Sequence, residues 1–474
     1  MKSILTFPLS RVGAPLCAIL GFLALPLSAE LCAASSRPNI VYILADDLGW
    51  TDLGCMGSRF YETPNIDRLA ADGMRFTAYY NCQNCAPTRA ALMSGQYAPR
   101  TGIYTVGSGA RGRETDRRMI PAPNVTDLPL DKVTVAEALR RSGYRTGMFG
   151  KWHLGTQGDY HPSRRGFEEA IVANGRHFNF QPIPPQPVPE GVYLADWLTD
   201  LAVDFIERHR AGPFFLYLPH FAVHSPLQAK RAGIEHFERR AAVDGHEHPT
   251  YAAMIASVDE SVGRVVACLE RLGLSQNTVV IFSSDNGGVG GYAGAAYAGR
   301  RGTTDNWPLS EGKGSLREGG IRVPFIVRWP GVVPPGSRCD EPAIHVDLYP
   351  TFLELAGAAC PTDYVLDGTS LAPLLRPGRE AGRASRAIYW HFPGYLEAYI
   401  RQNTWRTTPV SVIRAGDFKL LHYYEDDRRE LYDLRTDIAE RVNLVGTMPE
   451  KARELGGQLA AWLKATDAPL PDPR

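Results

Sequence analysis

Ile40 to Ala45 is an unbroken apolar run that stops on a pair of acids, Asp46-Asp47. A strand that is apolar on both faces must be covered on both faces, which is the setting of a strand inside a parallel sheet flanked by helices. The same device recurs. Thr134-Val135-Ala136-Glu137 is a capping box that opens a helix closing at Ser142-Gly143. The strand Arg145–Phe149 follows and delivers Gly150-Lys151-Trp152-His153. Helical spacing of Trp197, Leu201 and Phe205 leads through Gly212-Pro213 to the strand Phe214–Leu218, which releases His220 and then His224. A long amphipathic helix through Met254, Val258, Val262 and Leu269 stops at Gly273, and the strand Thr278–Phe282 ends in Ser284-Asp285-Asn286-Gly287-Gly288. The expected fold is α/β, a mostly parallel sheet between helices. In such sheets ligands bind beyond the carboxyl ends of the strands, where all four polar clusters fall.

From about Ala387 the texture changes to short β-like runs: Ile388–Trp390, Val410–Ile413, Phe418–Leu421 and Glu430–Leu434. A helix from about Pro449 to Ala465 follows, burying Leu455, Leu459 and Trp462. This predicts a catalytic domain over residues 37–386 and a C-terminal subdomain over 387–474, an antiparallel sheet with one helix. Thr105 to Leu130 and the proline-rich Gln181 to Glu190 are long enough to form the rim of a pocket. Residues 1–34 carry Lys2, Arg11 and a proline-broken apolar stretch ending in small residues. They are expected to be a signal peptide cleaved after Ala29 or Ala34, which places the protein in the periplasm or outside the cell with no stable membrane insertion. Lys+Arg and Asp+Glu balance at 51 each, so no global field favours nucleic acid. Beyond the signal lie Cys55, Cys82, Cys85, Cys268, Cys339 and Cys360, too widely spaced for a disulfide scaffold. A Cys55–Cys82 bridge is compatible with the count.

Asp46, Asp47, Asp285 and Asn286 are hard oxygen ligands from two strand ends, which suit calcium or magnesium and not zinc. Cys85 precedes a helical run from Thr88 to Met93, so it lies at a helix N-terminus that favours negative charge. Arg89 is one turn on. Lys151 and His153 share a strand-end loop, Pro226 follows His224 closely, and Lys313 sits between glycines that allow close backbone approach.

Cys85-Ala86-Pro87-Thr88-Arg89, followed by Ala90 to Gly95, resembles the sulfatase signature, in which the cysteine is oxidised to a formylglycine. The resemblance extends from Pro38–Trp50 through Thr63–Ala70, Gly150–Gly155, Ser284–Gly288 and Gly312–Pro324 to Glu430–Leu434 with Asn443-Leu444, in the family's order. It implies the alkaline-phosphatase-like fold of the type I, arylsulfatase-like sulfatases. It further implies that Asp46, Asp47, Asp285 and Asn286 hold a divalent cation, usually calcium, with the formylglycine at Cys85 as a further ligand. Arg89 and Lys151 would stabilise the diol of the hydrated aldehyde, and Lys313 would grip the sulfate. His224 with Lys313 would protonate the leaving oxygen, and His153 would take the proton that lets the aldehyde reform. Thr88 replaces the commoner Ser, and Gln96 stands where the longer signature often has Arg; both bear on the formylglycine-generating maturation enzyme. The expected activity is hydrolysis of a sulfate monoester, on a sugar. The alternatives are a phosphate or phosphonate monoester hydrolase of the same superfamily, or a sulfated-glycan-binding protein if Cys85 stays a thiol. Arg300, Arg301, Trp307, His177 and His391 are candidate pocket residues, with His177 or His391 expected to touch a sugar hydroxyl.

Overall fold

The computed structural model describes residues 37–290, 302–376, 386–397 and 405–474. Residues 1–36, with the expected signal peptide, and the candidate residues Arg300 and Arg301 lie outside these. A central sheet of eight strands is built from β1 (Asn39–Ala45), β2 (Met74–Phe76), β3 (Arg145–Gly150), β4 (Glu169–Val172), β5 (Phe214–Pro219), β6 (Thr278–Ser284), β7 (Phe325–Arg328) and β8 (Ser337–Cys339). Their spatial order is β8-β2-β7-β6-β1-β5-β3-β4. The run β6-β1-β5-β3-β4 is parallel throughout, and β7 is antiparallel to both its neighbours. This is the mixed, mostly parallel sheet expected.

Both faces of β1 are dry. Ile40, Tyr42 and Leu44 join one apolar cluster with Phe215, Tyr217 and Ile281; Val41, Ile43 and Ala45 join another with Leu216, Leu218 and Phe282. Strand periodicity of two sends alternate residues to opposite helical layers, which explains the uninterrupted apolar run. The first layer holds α1 (Cys85–Ser94) and α2 (Val135–Arg141), the latter opened by the Thr134–Glu137 capping box. The second holds α3 (Leu194–His209) and α4 (Pro249–Arg271).

A second, antiparallel sheet is formed in sequence order by β9 (Ile388–Phe392), β10 (Val410–Ala415), β11 (Phe418–Tyr423) and β12 (Arg429–Asp433). Its alternation is equally regular. Val410, Val412, Leu421 and Tyr432 pack with Tyr80, Ala91 and Tyr97 of the larger part; Ile413, Leu420 and Leu431 pack under Leu455 and Leu459 of α5 (Pro449–Ala465). The small sheet thus shares a core with the segment leading into α1.

Of the long connections, 105–130 contains a short strand, Met119–Ile120, paired with Asp472–Pro473. The proline-rich stretch bridges Val172 through Ile183 on the outer strand. All of Cys55, Cys82, Cys85, Cys268, Cys339 and Cys360 are free, so the Cys55–Cys82 bridge does not form. The Cys82 thiol instead meets His345 Nε2 at 3.4 Å, while Cys55 lies in a turn held by Asp67. Among the described residues no helix is long and apolar enough to cross a membrane.

Candidate active site

Four adjacent parallel strands, β6, β1, β5 and β3, deliver polar residues to one edge, and their backbones remain tied beyond the strand ends. Asp285 N–H donates to Ala45 O (3.1 Å), Asp46 N–H to Ala222 O (2.9 Å), and Lys151 N–H to Pro219 O (2.8 Å). Side chains anchored this way have little freedom to move apart. Asp47 and His153 have left-handed backbones, φ 67° and 65°, in non-glycine residues where such strain marks functional loops. Asp47 is held by the Tyr251 hydroxyl on its carbonyl (3.2 Å), by Asn286 Nδ2 on Oδ1 (2.8 Å), and by its own N–H on Asp285 Oδ1 (3.2 Å).

Acids and cations alternate around this edge. Lys151 Nζ binds Asp46 Oδ2, Lys313 Nζ binds Asp47 Oδ2 at 2.7 Å, and Arg89 donates from Nε and Nη2 to Asp285 Oδ2 at 3.1 and 2.8 Å. Arg89 Nη1 caps Lys151 O at 2.6 Å. The guanidinium is fully buried and committed to these partners, so it acts by holding Asp285 and the Lys151 loop. Burial works against ionisation of Asp46, but Lys151, His224 and Arg89 overcome it and hold the carboxyl well below its usual range. At Asp285 burial and the neighbouring Asp46 charge win, and its pKa is pushed up to about 6.

Cys85 opens α1 with Sγ 3.5 Å from Asp46 Oδ1 and 4.0 Å from Asp47 Oδ1. Burial, then Asp285 and Asp46, push its thiol far up, outweighing the helix N-terminus and disfavouring a thiolate nucleophile. His224 Nδ1 faces Ser225 O at 2.6 Å; a carbonyl only accepts, so Nδ1 carries a proton and Nε2 points to Asp47 Oδ2, 3.7 Å away. His153 is half-buried with an inaccessible, unpartnered Nδ1, and burial together with Lys151 and Arg89 keeps its ring neutral. Lys313 rides on a strap laid against 287–290. A Cβ on Gly312 would stand 2.3 Å from Gly290 O, and one on Gly287 only 1.8 Å from Gly319 O.

Ligand atoms of Asp46, Asp47, Cys85 and His224 lie within 4.8 Å of one another. Asp285 stands beside this group, occupied by Arg89. Asn286 Oδ1 is buried with no hydrogen-bond partner, a lone acceptor next to the carboxylates. An orphaned carbonyl oxygen among ionised carboxylates fits a hard divalent cation.

A cavity of about 110 Å³ opens onto this cluster, lined by Cys85, His153, His224 and Lys313 and rimmed by Asn84, Val106, Arg111, Leu396 and Arg406. The rim residues carry no sequence motif, and only Val106 and Arg111 come from a segment expected to border a pocket. The proline-rich stretch borders a different cavity, with Glu168, Glu169 and Arg208. Neither candidate sugar-contacting histidine reaches the site. His177 is buried, stacks on Phe221 and donates through Nε2 to His224 O at 2.8 Å. His391 is buried between Ser411 Oγ and Pro469 O, at 2.6 and 2.9 Å. Trp307 is exposed beneath the Arg441 guanidinium, away from the cavity. Thr88 is structural: its hydroxyl donates to Asp285 O (2.7 Å) and accepts from Cys82 N–H (3.0 Å).

The chain is similar to known proteins. The sulfatase family model matches residues 38–358, and a model described as N-sulphoglucosamine sulphohydrolase, C-terminal, matches 312–467. A sulfatase of Formosa agariphila is 36% identical, over 92% of this chain and 90% of its own. The N-acetylgalactosamine-6-sulfatase of Sus scrofa is 36% identical, over 84% and 74%. The crystal structure of Ps i-CgsB in complex with k-i-k-neocarrahexaose superposes with a TM-score of 0.75 at 31% identity, covering 90% of this chain and 93% of that one. The phosphonate monoester hydrolase of Agrobacterium radiobacter, 21% identical with a TM-score of 0.66, covering 91% and 96%, shares the fold. The chain belongs to the sulfatase family, whose members are sulfuric ester hydrolases.

Proposed function

We propose that the protein is an exported, formylglycine-dependent sulfatase that removes sulfate from a carbohydrate monoester. The observation that carries this reading is Cys85 itself: a buried thiol at a helix N-terminus, 3.5 Å from Asp46 and facing a cavity lined by Lys313, His153 and His224. The sugar class is supported by two relatives, one named an N-acetylgalactosamine-6-sulfatase and one bound to a neocarrahexaose.

Asp46, Asp47 and the Asn286 carbonyl would hold a calcium ion, with Asp285 and position 85 completing the set. A formylglycine at position 85 supplies, as its hydrate, an oxygen nucleophile and a second hydroxyl, and the cation supplies charge compensation beside it. The side chains do the rest. Lys313 Nζ reaches the cavity and grips a sulfate oxygen, and Lys151 keeps Asp46 ionised. As the sulfur–oxygen bond to the sugar breaks, the leaving oxygen takes a proton from His224 Nε2 or Lys313 Nζ. The neutral His153 then accepts the proton whose loss expels sulfate. Arg89 fixes Asp285 and the Lys151 loop throughout.

The test is release of sulfate and of phosphate from matched sulfated and phosphorylated sugars, using protein with formylglycine at Cys85 verified by mass and a Cys85→Ala control. Sulfate release that vanishes in the control is expected. Phosphate release alone would transfer the reading to a phosphohydrolase, and a full-length protein carrying only the Cys85 thiol would leave a glycan-binding role.

A further inference from the structure

A cavity of about 660 Å³ opens between the two sheets and shares no lining residue with the catalytic one. Its floor is the last residue of β2 and the segment after it, Phe76 to Ala78, and its far wall is Asp417, in the turn between β10 and β11, and Leu434, just after β12. Five arginines line it, Arg75, Arg322, Arg338, Arg414 and Arg435, against two carboxylates, Asp340 and Asp417. Those two acids each pair with one rim arginine, Asp340 with Arg338 at 2.7 Å and Asp417 with Arg435 at 3.7 Å. Arg322 is matched by Glu318 at 3.1 Å. Arg75 and Arg414 have no carboxylate within ion-pair distance among the described residues; they bond only Cys55 O, Gly416 O and the Tyr80 hydroxyl. Arg414 is 6% exposed, so its charge is largely desolvated, and the carboxylate that feels it, Glu318, is shared with Lys419 and Arg322. Trp50, stacked on Arg322, also lines the cavity, and its Nε1–H is buried without an acceptor.

The lining suits an anion that can also accept a hydrogen bond from an indole. Guanidinium groups are weakly hydrated and present forked donors that match tetrahedral oxyanions. The volume is in the range that takes a small organic ligand rather than a lone ion. A second cavity of about 670 Å³, with Glu168, Glu169 and Asp204 in its lining, has the opposite character, so size alone does not produce the arginine set.

We propose that this inter-sheet cleft is a second binding site for a sulfated saccharide, separate from the catalytic cavity. For its ligand class the proposal rests on the sulfatase reading. A chain bearing several sulfates would place one on Arg75 and Arg414 and lay a sugar ring against Trp50, tethering the polymer while another residue is processed.

The test uses the full-length protein and fluorescein-labelled dextran sulfate oligosaccharide, followed by anisotropy, with unsulfated dextran and inorganic sulfate as competitors. Arg338→Ser/Arg435→Ser removes two cleft charges whose side chains are 64% and 72% exposed, so folding is spared. Affinity should fall about tenfold, with an unchanged melting temperature. Arg231→Ser/Arg453→Ser, remote charges 91% and 68% exposed, should bind as the wild type does. Wild-type affinity in the cleft variant, no binding by the wild type, or an equal loss in the remote pair would overturn the proposal. So would inorganic sulfate competing as well, per sulfate, as the oligosaccharide. Binding is read without turnover, so a protein that retains cleft-dependent binding but releases no sulfate would sink the sulfatase reading and leave this site standing.

Discussion

Lys419 has no exposed surface, and its ammonium lies 2.9 Å from both Glu318 Oε1 and Glu440 Oε1. It joins the small sheet to the strap that carries Lys313. Glu318 also accepts from the Tyr80 hydroxyl (2.8 Å) and from Arg322 (3.1 Å), while Glu440 takes the Glu318 N–H (2.8 Å) and the Ser310 hydroxyl. Lys419→Met keeps the volume and removes the charge, leaving two buried carboxylates against Arg322. Two routes give the cost. Breaking a buried pair by deleting one partner costs about 3–5 kcal/mol. Independently, burial raises the pKa of Glu318, yet Lys419, Arg322 and Arg414 bring it down from 4.5 to about 2. That difference is worth about 3 kcal/mol at neutral pH. Because the folded pKa is the lower one, this stability is present above about pH 4.5 and is lost as pH falls toward 2. In a chain this long 1 kcal/mol moves the midpoint by only about 1 °C, so Lys419→Met should melt about 3–5 °C lower at pH 7. The deficit should shrink by only about a quarter at pH 4 and by more than half near pH 3, and Glu318→Gln in the same chain should recover part of it. Turnover should fall as well, since the Lys313 strap loses its buttress. A neutral-pH loss below about 1 kcal/mol in urea titration, or a deficit independent of pH, would refute the tether.

Calcium should restore activity after chelation, and Asn286→Leu should weaken calcium binding measured by calorimetry on the intact protein; full activity in excess chelator would count against the cation site. His177→Ala should lower kcat through displacement of His224, with KM little changed, whereas His391→Ala should leave kcat/KM on a small sulfate ester as it was. Burial lowers the pKa of His391 from 6.5 to about 4. Its neutral form is therefore favoured by folding, so stability is full above about pH 6.5 and declines by about 3 kcal/mol as pH falls to 4. His391→Gln should flatten that part of the urea–pH profile. Thr88→Val strands Cys82 N–H and Asp285 O and should cost about 1–3 kcal/mol, while Thr88→Ser should be close to neutral; equal melting of the two would remove Thr88 from the frame of the site.

The strands that frame the site were legible because each is buried on both faces and so written as an apolar run ending in polar residues. The outer strands β2, β4, β7 and β8 were not. Met74–Phe76 and Ser337–Cys339 are three residues long, and so short a segment has no period to read. The polar groups were found where a strand end or a signature exposed them. Arg111 reaches the cavity from an irregular segment, and Leu396 and Arg406 from a pair of very short strands, Leu396–Glu397 and Trp405–Thr407, where tertiary packing decides direction. His177 and His391 show the complementary failure. Each has the right chemistry, yet each is spent on a backbone carbonyl, which no one-dimensional pattern announces.

That division bears on what the family resemblance carries over. The cluster of Asp46, Asp47, Cys85, Lys151, Asp285 and Lys313 is over-determined by ladder hydrogen bonds, by close glycine approaches at 287 and 312, and by mutual charge. Changing one member strands the others, so the chemistry is tied to the fold. The rim and the exposed arginines of the inter-sheet cleft obey no such constraint. Arg338 and Arg435 could be exchanged at little cost to folding, and so could much of the segment bearing Arg111. Substrate choice is therefore written in the residues that the fold leaves free, and experiments on the rim and the cleft will discriminate between sugars where experiments on the cluster will only abolish turnover.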